Sequence, residues 1–307
     1  MSFLAILFAL LLEQARPLAP TNFIHGAARG WVRWVHRNFD AGQPRHAWLS
    51  WGISVGAPTV FVLGLHWALL WGLGWGFALA WNIAVLYATL GFRQFSHHFT
   101  RIRDALSAGD EPLARQHLAH WMRIDASELP RSEIIRHVIE YSVISAHRHV
   151  FGVFAWYSVV AAFGLGPAGA VLYRMAEYLS REVNLPFKPG GAVISEALKS
   201  FAGVAWQRMD WAPSRITAMS FAFVGSFEDA VDQWRQHEAM VANDNDGVVL
   251  ASTSGAVNVK LGSQAGTSTA GEVPQAAHLR SVVGLLWRSV VMWMVVLALL
   301  SLARLLG

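Results

Sequence analysis

Long apolar runs recur along the chain and predict helices that cross a membrane. Residues 48–90 are almost free of charge, and their length is close to twice the roughly 20 residues that span a bilayer. They predict a hairpin of two helices whose turn falls in LWGLGWG, residues 70–76, where glycines interrupt the apolar pattern. Further spans are predicted at residues 150–172, interrupted at residues 164–170, and at residues 282–302.

The first apolar run, residues 3–12, has the length of a signal-peptide core. No basic residue precedes it, and Glu13, Gln14 and Arg16 follow it where a cleavage site would be expected. We therefore expect a short membrane helix that is retained. Together the apolar runs predict an all-α, polytopic helical integral membrane protein with about four to five spans and cytoplasmic helical hairpins.

Residues 91–149 are predicted to form a polar helical insertion made of hairpins. Asp110 is suited to cap a helix that carries Pro112 in its first turn, and Pro130 and Ser132 precede a second helix. We expect this second helix to continue directly into the third span.

The second helix of the insertion carries a polar stripe. Arg136, Glu140 and His147 fall on one face because they are spaced four and then seven residues apart. Two interpretations are open, namely a row of solvated salt bridges or a polar face that continues down into a membrane cavity.

Residues 239–280 are rich in Gly, Ser, Thr and Asn without apolar periodicity, and they predict a loop. Its backbone N–H groups, with the charge of Lys260, would suit a phosphate group. A flexible linker before the last helix is the alternative. The motif G-x-x-x-x-G-K-[ST] is absent, which excludes a P-loop nucleotide site.

The stretch DWAPSR, residues 210–215, places two charged residues around a proline. Pro213 is expected to end one helix and to fix the start of the next, so that Asp210 and Arg215 lie at the mouth of an apolar run. The small residues of that run have a spacing that allows close helix packing: Ala218, Ala222 and Gly225. The corner is either a polar lip on a packed helical site or a structural Asp–Arg clamp. Because isolated ions are costly at membrane depth, we expect four polar residues that are distant in sequence to lie near each other: Tyr173, Arg174, Asp210 and Arg215.

Composition agrees with the membrane assignment. Of the 307 residues, 54% are hydrophobic and 14% are charged, and the mean hydropathy is +0.36, which is beyond an ordinary soluble domain. The net charge of +4 accompanies arginines in the polar connections, so residues 13–47 and 93–148 are expected on the cytoplasmic side. A nucleic-acid partner is the weaker interpretation of the basic charge. We predict a single membrane domain over residues 1–307, with the lipid bilayer as a partner.

Several common catalytic motifs are absent from the sequence. The lack of cysteine excludes disulfides, thiolate metal sites and a cysteine nucleophile. None of the 13 histidines stands in H-E-x-x-H, and no G-x-S-x-G elbow is present, so no metal ligand or serine nucleophile is assigned. Arg288 lies in the last predicted span, and we expect it to snorkel or to form a structural ion pair rather than to bind substrate.

Two phrases of the sequence carry a family resemblance that spans most of the chain. GPAGAVLYRM, residues 166–175, and DWAPSRITA, residues 210–218, resemble motifs of the CobD/CbiB family and of the related AmpE family. Weaker matches are residues 105–129 and GAVNVKLG, residues 255–262. The first family is assigned to the adenosylcobinamide-phosphate synthase step of cobalamin biosynthesis, and the second is linked to β-lactamase induction.

The synthase resemblance implies an enzyme of the bacterial inner membrane that uses ATP and Mg²⁺ to join aminopropanol phosphate to a carboxylate of adenosylcobyric acid. It makes Asp125 and Glu140 candidates for Mg²⁺ or general-base roles, and Asp210 a further catalytic candidate. The implied substrate-binding residues, for a corrinoid or another small molecule, are Arg123, Tyr173, Arg174, Arg215, Gly255 and Lys260.

The chain also departs from the synthase pattern. Where the synthases have a later acid and amide after the residue that matches Glu140, this chain has Ala146, His147 and Arg148. The segment after Arg174 reads MAEYLSREVN and lacks the synthase motif N-T-x-D-S. Since carboxylates normally hold Mg²⁺, an AmpE-like membrane sensor without turnover is the second hypothesis.

Overall fold

The chain folds into helices, as its apolar runs predict. The computed structural model describes residues 2–16, 23–185, 194–262 and 269–306, and within these ranges it contains thirteen α-helices and one π-helical turn. The only extended pairing in the described ranges is an isolated bridge between Val259 and Glu272. The all-α prediction is confirmed.

The helices group into two compact units. The first unit comprises Met1–Gly91 and Gly152–Asp210, and the second comprises Phe92–Phe151 and Trp211–Gly307. The predicted insertion of residues 91–149 thus lies in the second unit, together with the C-terminal third of the chain.

The helices of the first unit are α1 (Ser2–Ala15), α2 (Phe23–Phe39), α3 (Pro44–Gly72), α4 (Trp75–Thr89), α8 (Gly152–Ala162) and α9 (Ala168–Val183). Those of the second are α5 (Phe92–Ser107), α6 (Glu111–Met122), α7 (Arg131–Ala146), the π-helical turn (His147–Phe151), α11 (Phe227–Met240), α12 (Asn245–Val257) and α13 (Ala276–Leu306). Helix α10 (Glu196–Val224) contributes residues to both units.

The predicted hairpin of residues 48–90 is present as α3 and α4. The chain turns at Leu73 and Gly74, whose N–H groups both donate to the carbonyl of Leu69 at 3.0 Å. Gly74 has a φ of +93°, a conformation that glycine adopts without steric cost. The glycines in this apolar run therefore mark the turn for a local, backbone reason.

Within the part of the chain that the structure describes, two helices are long and apolar enough to cross a membrane, namely Pro44–Gly72 and the Ala276–Ala303 part of α13. The other apolar helices, α1 and α4, have 14 and 15 residues. Such helices are about 21–23 Å long, which is less than the roughly 30 Å thickness of a bilayer core. Helix α1 contains the apolar run at residues 3–12, which is helical as predicted.

The third predicted span, residues 150–172, is wrong as a single interrupted span. The interruption is a reversal, because α9 packs antiparallel against α8: Gly169 lies on the backbone of Trp156, and Tyr173 lies against Gly152. A Cβ at Gly169 would lie 2.2 Å from the Trp156 carbonyl oxygen, so only glycine allows this approach. The glycines of residues 164–166 make a tight turn, with positive φ at Gly164 and Gly166.

Helix α10 passes through Pro213 without a break, contrary to the expectation that this proline ends one helix and starts another. A proline inside a helix cannot donate to the carbonyl four residues earlier. Here that carbonyl belongs to Met209, and it accepts a hydrogen bond from the indole Nε1 of Trp156 at 3.1 Å. A side chain from α8 thus replaces the missing backbone donor and lets the helix continue.

The loop predicted over residues 239–280 is also wrong in part, because residues 245–257 form α12. This helix is buried on nearly all sides, so its sequence has no polar face and no apolar periodicity. Its small residues allow close packing on α11: a Cβ at Gly255 would lie 2.3 Å from the carbonyl oxygen of Asp229. Residues 263–268 of the predicted loop lie outside the described residues.

The polar helical hairpin of α5 and α6 follows the prediction. Asp110 caps α6 by accepting a hydrogen bond from the Leu113 N–H at 3.0 Å, and Pro112 lies in the first turn. Helix α7 begins after Pro130, at Arg131, and the π-helical turn and α8 follow it without an intervening loop.

Candidate functional site

A buried tyrosine–carboxylate pair lies inside the first unit. Tyr173, on α9, donates its hydroxyl to Oδ1 of Asp210, on α10, at 2.7 Å, and both side chains are 0% exposed. Gly152 on α8 makes room for the phenol, because a Cβ there would lie 2.2 Å from its Cζ and hydroxyl oxygen. The prediction that Tyr173 and Asp210 lie together is confirmed, since buried polar groups must find partners.

Both arginines predicted to lie near this pair bind carboxylates of the chain. Arg174 donates to Oε2 of Glu177 at 2.9 Å, one turn along α9. Arg215 forms an ion pair with Glu238 at 2.6 Å, so the alternative of an Asp210–Arg215 clamp is not what holds this residue.

Arg215 belongs to a polar cluster where α11 meets α12, which we call the α11–α12 cluster. Its guanidinium also donates to Oδ1 of Asn245 at 2.7 Å and lies over the ring of Trp211, 4.8 Å from the ring centroid. Arg148, in the π-helical turn, donates to Asp246. Two arginine forks therefore converge on consecutive residues in the first turn of α12.

The start of α12 is further fixed by its capping residue. Asp244 accepts a hydrogen bond from the Gly247 N–H at 2.9 Å, and its other oxygen lies 3.1 Å from Nε2 of His237. A side chain at Gly247 would collide with His237, because a Cβ there would lie 2.0 Å from Nε2. The α11–α12 cluster consists of Arg148, Arg215, His237, Glu238, Asp244, Asn245 and Asp246.

Chemically, this cluster can recognise an anion. A guanidinium fork binds phosphate or carboxylate through two parallel hydrogen bonds. In the structure these forks are held by carboxylate and amide oxygens of the chain itself, which orients both arginines. An anionic ligand would compete with Glu238 and Asp246 for them.

Glu140 is held by a second arginine system. Arg136 Nη1 lies 2.9 Å from both oxygens of Glu140, and the N–H of Gly262 donates to Oε1 at 2.7 Å. Arg136 also binds Glu133, and its hydrogen bond holds the pKa of that carboxyl below its ordinary value. Because the side chain of Arg136 is only 6% exposed, the stripe on α7 is partly buried rather than a solvated row of ion pairs.

His147, the third residue of that stripe, forms a hydrogen bond inside the second unit. His147 Nδ1 lies 2.9 Å from the hydroxyl of Thr217, and both side chains are buried.

Arg123 and Asp125 lie in the exposed turn after α6. Arg123 ends that helix in the left-handed conformation, with a φ of +57°. Asp125 accepts hydrogen bonds from the N–H and the hydroxyl of Ser127, at 3.0 and 2.8 Å, and these bonds hold its pKa below the ordinary value, the backbone bond most strongly. In this structure both residues shape a surface turn.

Of the two residues expected to contact phosphate from the predicted loop, Gly255 lies inside a helix and Lys260 lies at the surface. Gly255 is buried within α12, where backbone N–H groups bond inside the helix and are not offered to a phosphate. Lys260 is exposed, and its N–H donates to the carbonyl of Glu272 at 2.8 Å.

A Mg²⁺ ion usually keeps several waters and is held by one or two carboxylates together with substrate phosphates. Within the described ranges, no group of three or more His, Asp or Glu residues could hold a metal ion. Arg136 occupies the position beside Glu140 that a cation would take.

Sequence reasoning missed most of the α11–α12 cluster. Arg148 was noted only as a departure from a family pattern, and Glu238, Asn245 and Asp246 were not singled out. One signal was available: Asp244 is a residue type that caps helices, and the acidic Asp246 follows it in what would be the first turn.

Comparisons with known proteins give consistent results. The family model described as CobD/Cbib protein matches residues 2–181. A protein of Stutzerimonas stutzeri (strain A1501), named Cobalamin biosynthesis protein CobD, is 28% identical over 325 residues, which cover 96% of this chain and 96% of that protein. A protein of the same name from Chromobacterium violaceum is 30% identical over 59% of this chain and 54% of its own length. Another, from Leptospira interrogans serovar copenhageni, is 29% identical over 66% of this chain and 60% of its own length. No solved structure matches the chain.

Proposed function

Because the chain belongs to the CobD/CbiB family, we propose that it acts in cobalamin biosynthesis, at the step that joins aminopropanol phosphate to a carboxylate of adenosylcobyric acid. The observation that carries this proposal is the match over 96% of both chains to a protein named for that pathway. The match extends over both units, so the proposal concerns the whole chain and not one motif.

The α11–α12 cluster is the proposed anion-binding part of the site. Both substrates of this step carry anionic groups, and arginine forks bind such groups with defined geometry. Arg215 and Arg148 are already oriented by Glu238 and Asp246, so exchange of an internal carboxylate for a substrate phosphate needs little reordering of either side chain. Arg123, Arg174 and Lys260 are further proposed phosphate contacts.

Amide formation from a carboxylate is proposed to use ATP, which activates the carboxylate so that its oxygen leaves with a phosphate group when the amine attacks. It also requires a base that takes a proton from the attacking amine. Glu140 and Asp210 are the proposed bases, because each is a carboxylate that hydrogen-bond donors hold in a fixed position. Asp125 is the third proposed catalytic residue, and its oxygen is held by Ser127. ATP and Mg²⁺ remain part of the proposal, as the family resemblance implies, and no step is assigned to the ion.

Complementation tests this function directly. The chain should restore growth without added corrinoid to a strain that lacks its own adenosylcobinamide-phosphate synthase. Asp125→Asn and Glu140→Gln should each fail while the protein inserts at normal levels, because each removes a carboxylate charge with almost no change of volume. Asp104→Asn is the matched control, since Asp104 is an exposed carboxylate paired with its neighbour Arg103. Failure of the well-expressed unmutated chain would refute the assignment.

We further propose that the chain is a multi-pass protein of the bacterial inner membrane with about four to five crossing segments. The candidates are α3 and α13, which are long enough to span, and shorter apolar helices such as α1 and α4, around which the bilayer would be locally thinner. The arginine load of residues 13–47 and 93–148 supports a cytoplasmic position for both. Since the chain has no cysteine, single cysteines at Ala41 and Ala108, both exposed, report on this directly. They should react with an impermeant thiol reagent only after the cells are permeabilised, and labelling of both in intact cells would overturn the orientation.

A second candidate function, an AmpE-like membrane sensor without turnover, is favoured by one observation. His147 and Arg148 stand where the synthases have an acid and an amide, and they bind Thr217 and Asp246 within the chain. Under this alternative the unmutated chain does not complement a synthase-deficient strain, and deletion of its gene changes β-lactamase induction instead.

A further inference from the structure

Helix α2 is basic, and one of its faces is packed on the first unit. Its 17 residues contain no Asp or Glu and carry three arginines. On the packed face, Val32 and Val35 are 0% exposed, and Val32 belongs to a core formed with residues of α3, α9 and α10. Trp31 donates its indole Nε1 to the carbonyl of Ser54, on α3, at 3.2 Å. The position of α2 relative to α3 is therefore fixed by packing and by a hydrogen bond.

The remaining surface of α2 is divided into a basic and an apolar flank. Arg33 and Arg37 are four residues apart and exposed, so they lie side by side on one flank. On the other flank, Ile24 and Trp34 are 48% and 51% exposed, and the Trp34 ring stacks on that of Trp31 with centroids 5.4 Å apart. Large exposed apolar side chains beside exposed cations are typical of helices that lie in a membrane interface.

The tryptophans of α3 indicate how deep α2 lies in the bilayer. Trp48 and Trp51 lie near the start of α3, and Trp67 and Trp71 lie near its end. The two pairs are about 20 residues apart, which corresponds to about 30 Å along a helix and to the thickness of the hydrocarbon core. Tryptophan is enriched at both membrane–water interfaces. The first pair thus marks the interface nearest to α2.

Two contacts tie α2 to that interface. Helix α2 ends at Phe39 and α3 begins at Pro44, so the connection is too short to carry α2 away from the start of α3. The bond from Trp31 to Ser54 places the middle of α2 within about one helical turn of Trp51. Asp40, in the connection, accepts hydrogen bonds from the N–H and hydroxyl of Ser195 and is engaged on the packed side.

We propose that α2 is an interfacial helix that binds anionic phospholipid headgroups through Arg33 and Arg37, with Trp34 inserted among them. Charge complementarity selects the occupant, because the exposed flank carries two cations and the helix has no acidic side chain to neutralise them. A guanidinium fork binds a lipid phosphate through two hydrogen bonds. The proposal does not depend on the cobalamin assignment, since it uses only the contacts of α2 and the membrane position of α3.

The test uses the full chain in lipid nanodiscs. A single cysteine at the exposed Ala27, which lies on the apolar flank, is labelled with a fluorophore; the chain has no other cysteine. The discs contain phosphatidylcholine alone or with phosphatidylglycerol, and a lipid with a nitroxide on its headgroup quenches fluorophores at that depth. We expect the quenching to be at least twofold stronger in the anionic discs, with the label protected there from aqueous acrylamide.

Charge variants show whether the arginines cause that difference. Arg33→Gln with Arg37→Gln should reduce the excess quenching in anionic discs by at least half. Arg101→Gln with Arg235→Gln removes two exposed arginines elsewhere and should leave it unchanged. A label at Ala27 that acrylamide reaches equally in discs and in detergent would overturn the interfacial position. Quenching that is equal in both lipids would overturn the anionic partner.

Discussion

The hydrogen bond between Tyr173 and Asp210 allows a quantitative test of what holds the first unit together. The two oxygens are 2.7 Å apart, and both side chains are fully buried. Tyr173→Phe removes one donor and almost no volume, so Asp210 loses a bond that water cannot replace. A buried acceptor that loses its donor costs about 1–3 kcal/mol, and we expect the free energy of unfolding to fall by that amount.

A double-mutant cycle separates this bond from the other contacts of the carboxylate. Asp210→Leu removes the acceptor together with its other interactions and is expected to destabilise the chain. In that background Tyr173→Phe should be nearly neutral, because the bond to Asp210 is already absent. The coupling energy of the cycle should therefore equal about 1–3 kcal/mol.

The measurement is reversible unfolding of the purified chain in mixed micelles, followed by tryptophan fluorescence and circular dichroism, whose transitions must coincide for a two-state treatment. Tyr178→Phe is the matched control on the same helix, since its hydroxyl donates to Glu182 at 3.2 Å in a half-buried position. If Tyr173→Phe costs no more than Tyr178→Phe, or if the coupling is under about 0.5 kcal/mol, the bond does not stabilise the unit as argued.

Three further predictions concern helix packing, pH and the proline in α10. Gly255→Ala should destabilise the chain by about 1–3 kcal/mol in the same unfolding assay, because the added methyl group overpacks against α11. The control is Gly203→Ala in α10, where no atom lies within 4 Å of the added Cβ. This control should be neutral or stabilising by up to about 1 kcal/mol. Burial, followed by neighbouring cationic groups, lowers the pKa of His98 below its ordinary value of 6.5. Its contribution to stability is therefore complete above 6.5 and is lost as the pH falls from there through the lowered pKa of the folded chain, so the acid-side loss in thermal melts should shrink in His98→Gln. Trp156→Phe should lower the free energy of unfolding by about 1–3 kcal/mol, because it removes the donor to the Met209 carbonyl that Pro213 leaves without a backbone partner. Pro213→Ala in that background should recover most of this loss, because the new N–H can donate to the same carbonyl. No recovery would contradict our account of the unbroken helix.

Local features of the sequence were sufficient for several elements. The turn between α3 and α4 follows from Gly74, because a left-handed backbone conformation is a property of one residue. The cap of α6 follows from Asp110, whose side chain reaches an N–H three residues away. The pairing of Tyr173 with Asp210 followed from a general rule, since polar groups inside an apolar unit must find each other.

Other features depended on residues that are distant in sequence. Helix α10 continues through Pro213 because Trp156, more than fifty residues earlier, supplies a donor to Met209, and no local pattern shows that. Helix α12 lacked the periodicity that marks a helix, because burial on nearly all sides removes any polar face. Gly255 was mistaken for a loop glycine for the same reason.

The candidate site shows the same division. The sequence indicated that Arg215 must have a partner, because a guanidinium is costly to bury alone. It did not indicate that the partners are Glu238 and Asn245, or that Arg148 meets Asp246 one residue further on. The need for a partner is set by the chemistry of one side chain, whereas the choice of partner is set by the close packing of α11 on α12, which only tertiary structure decides.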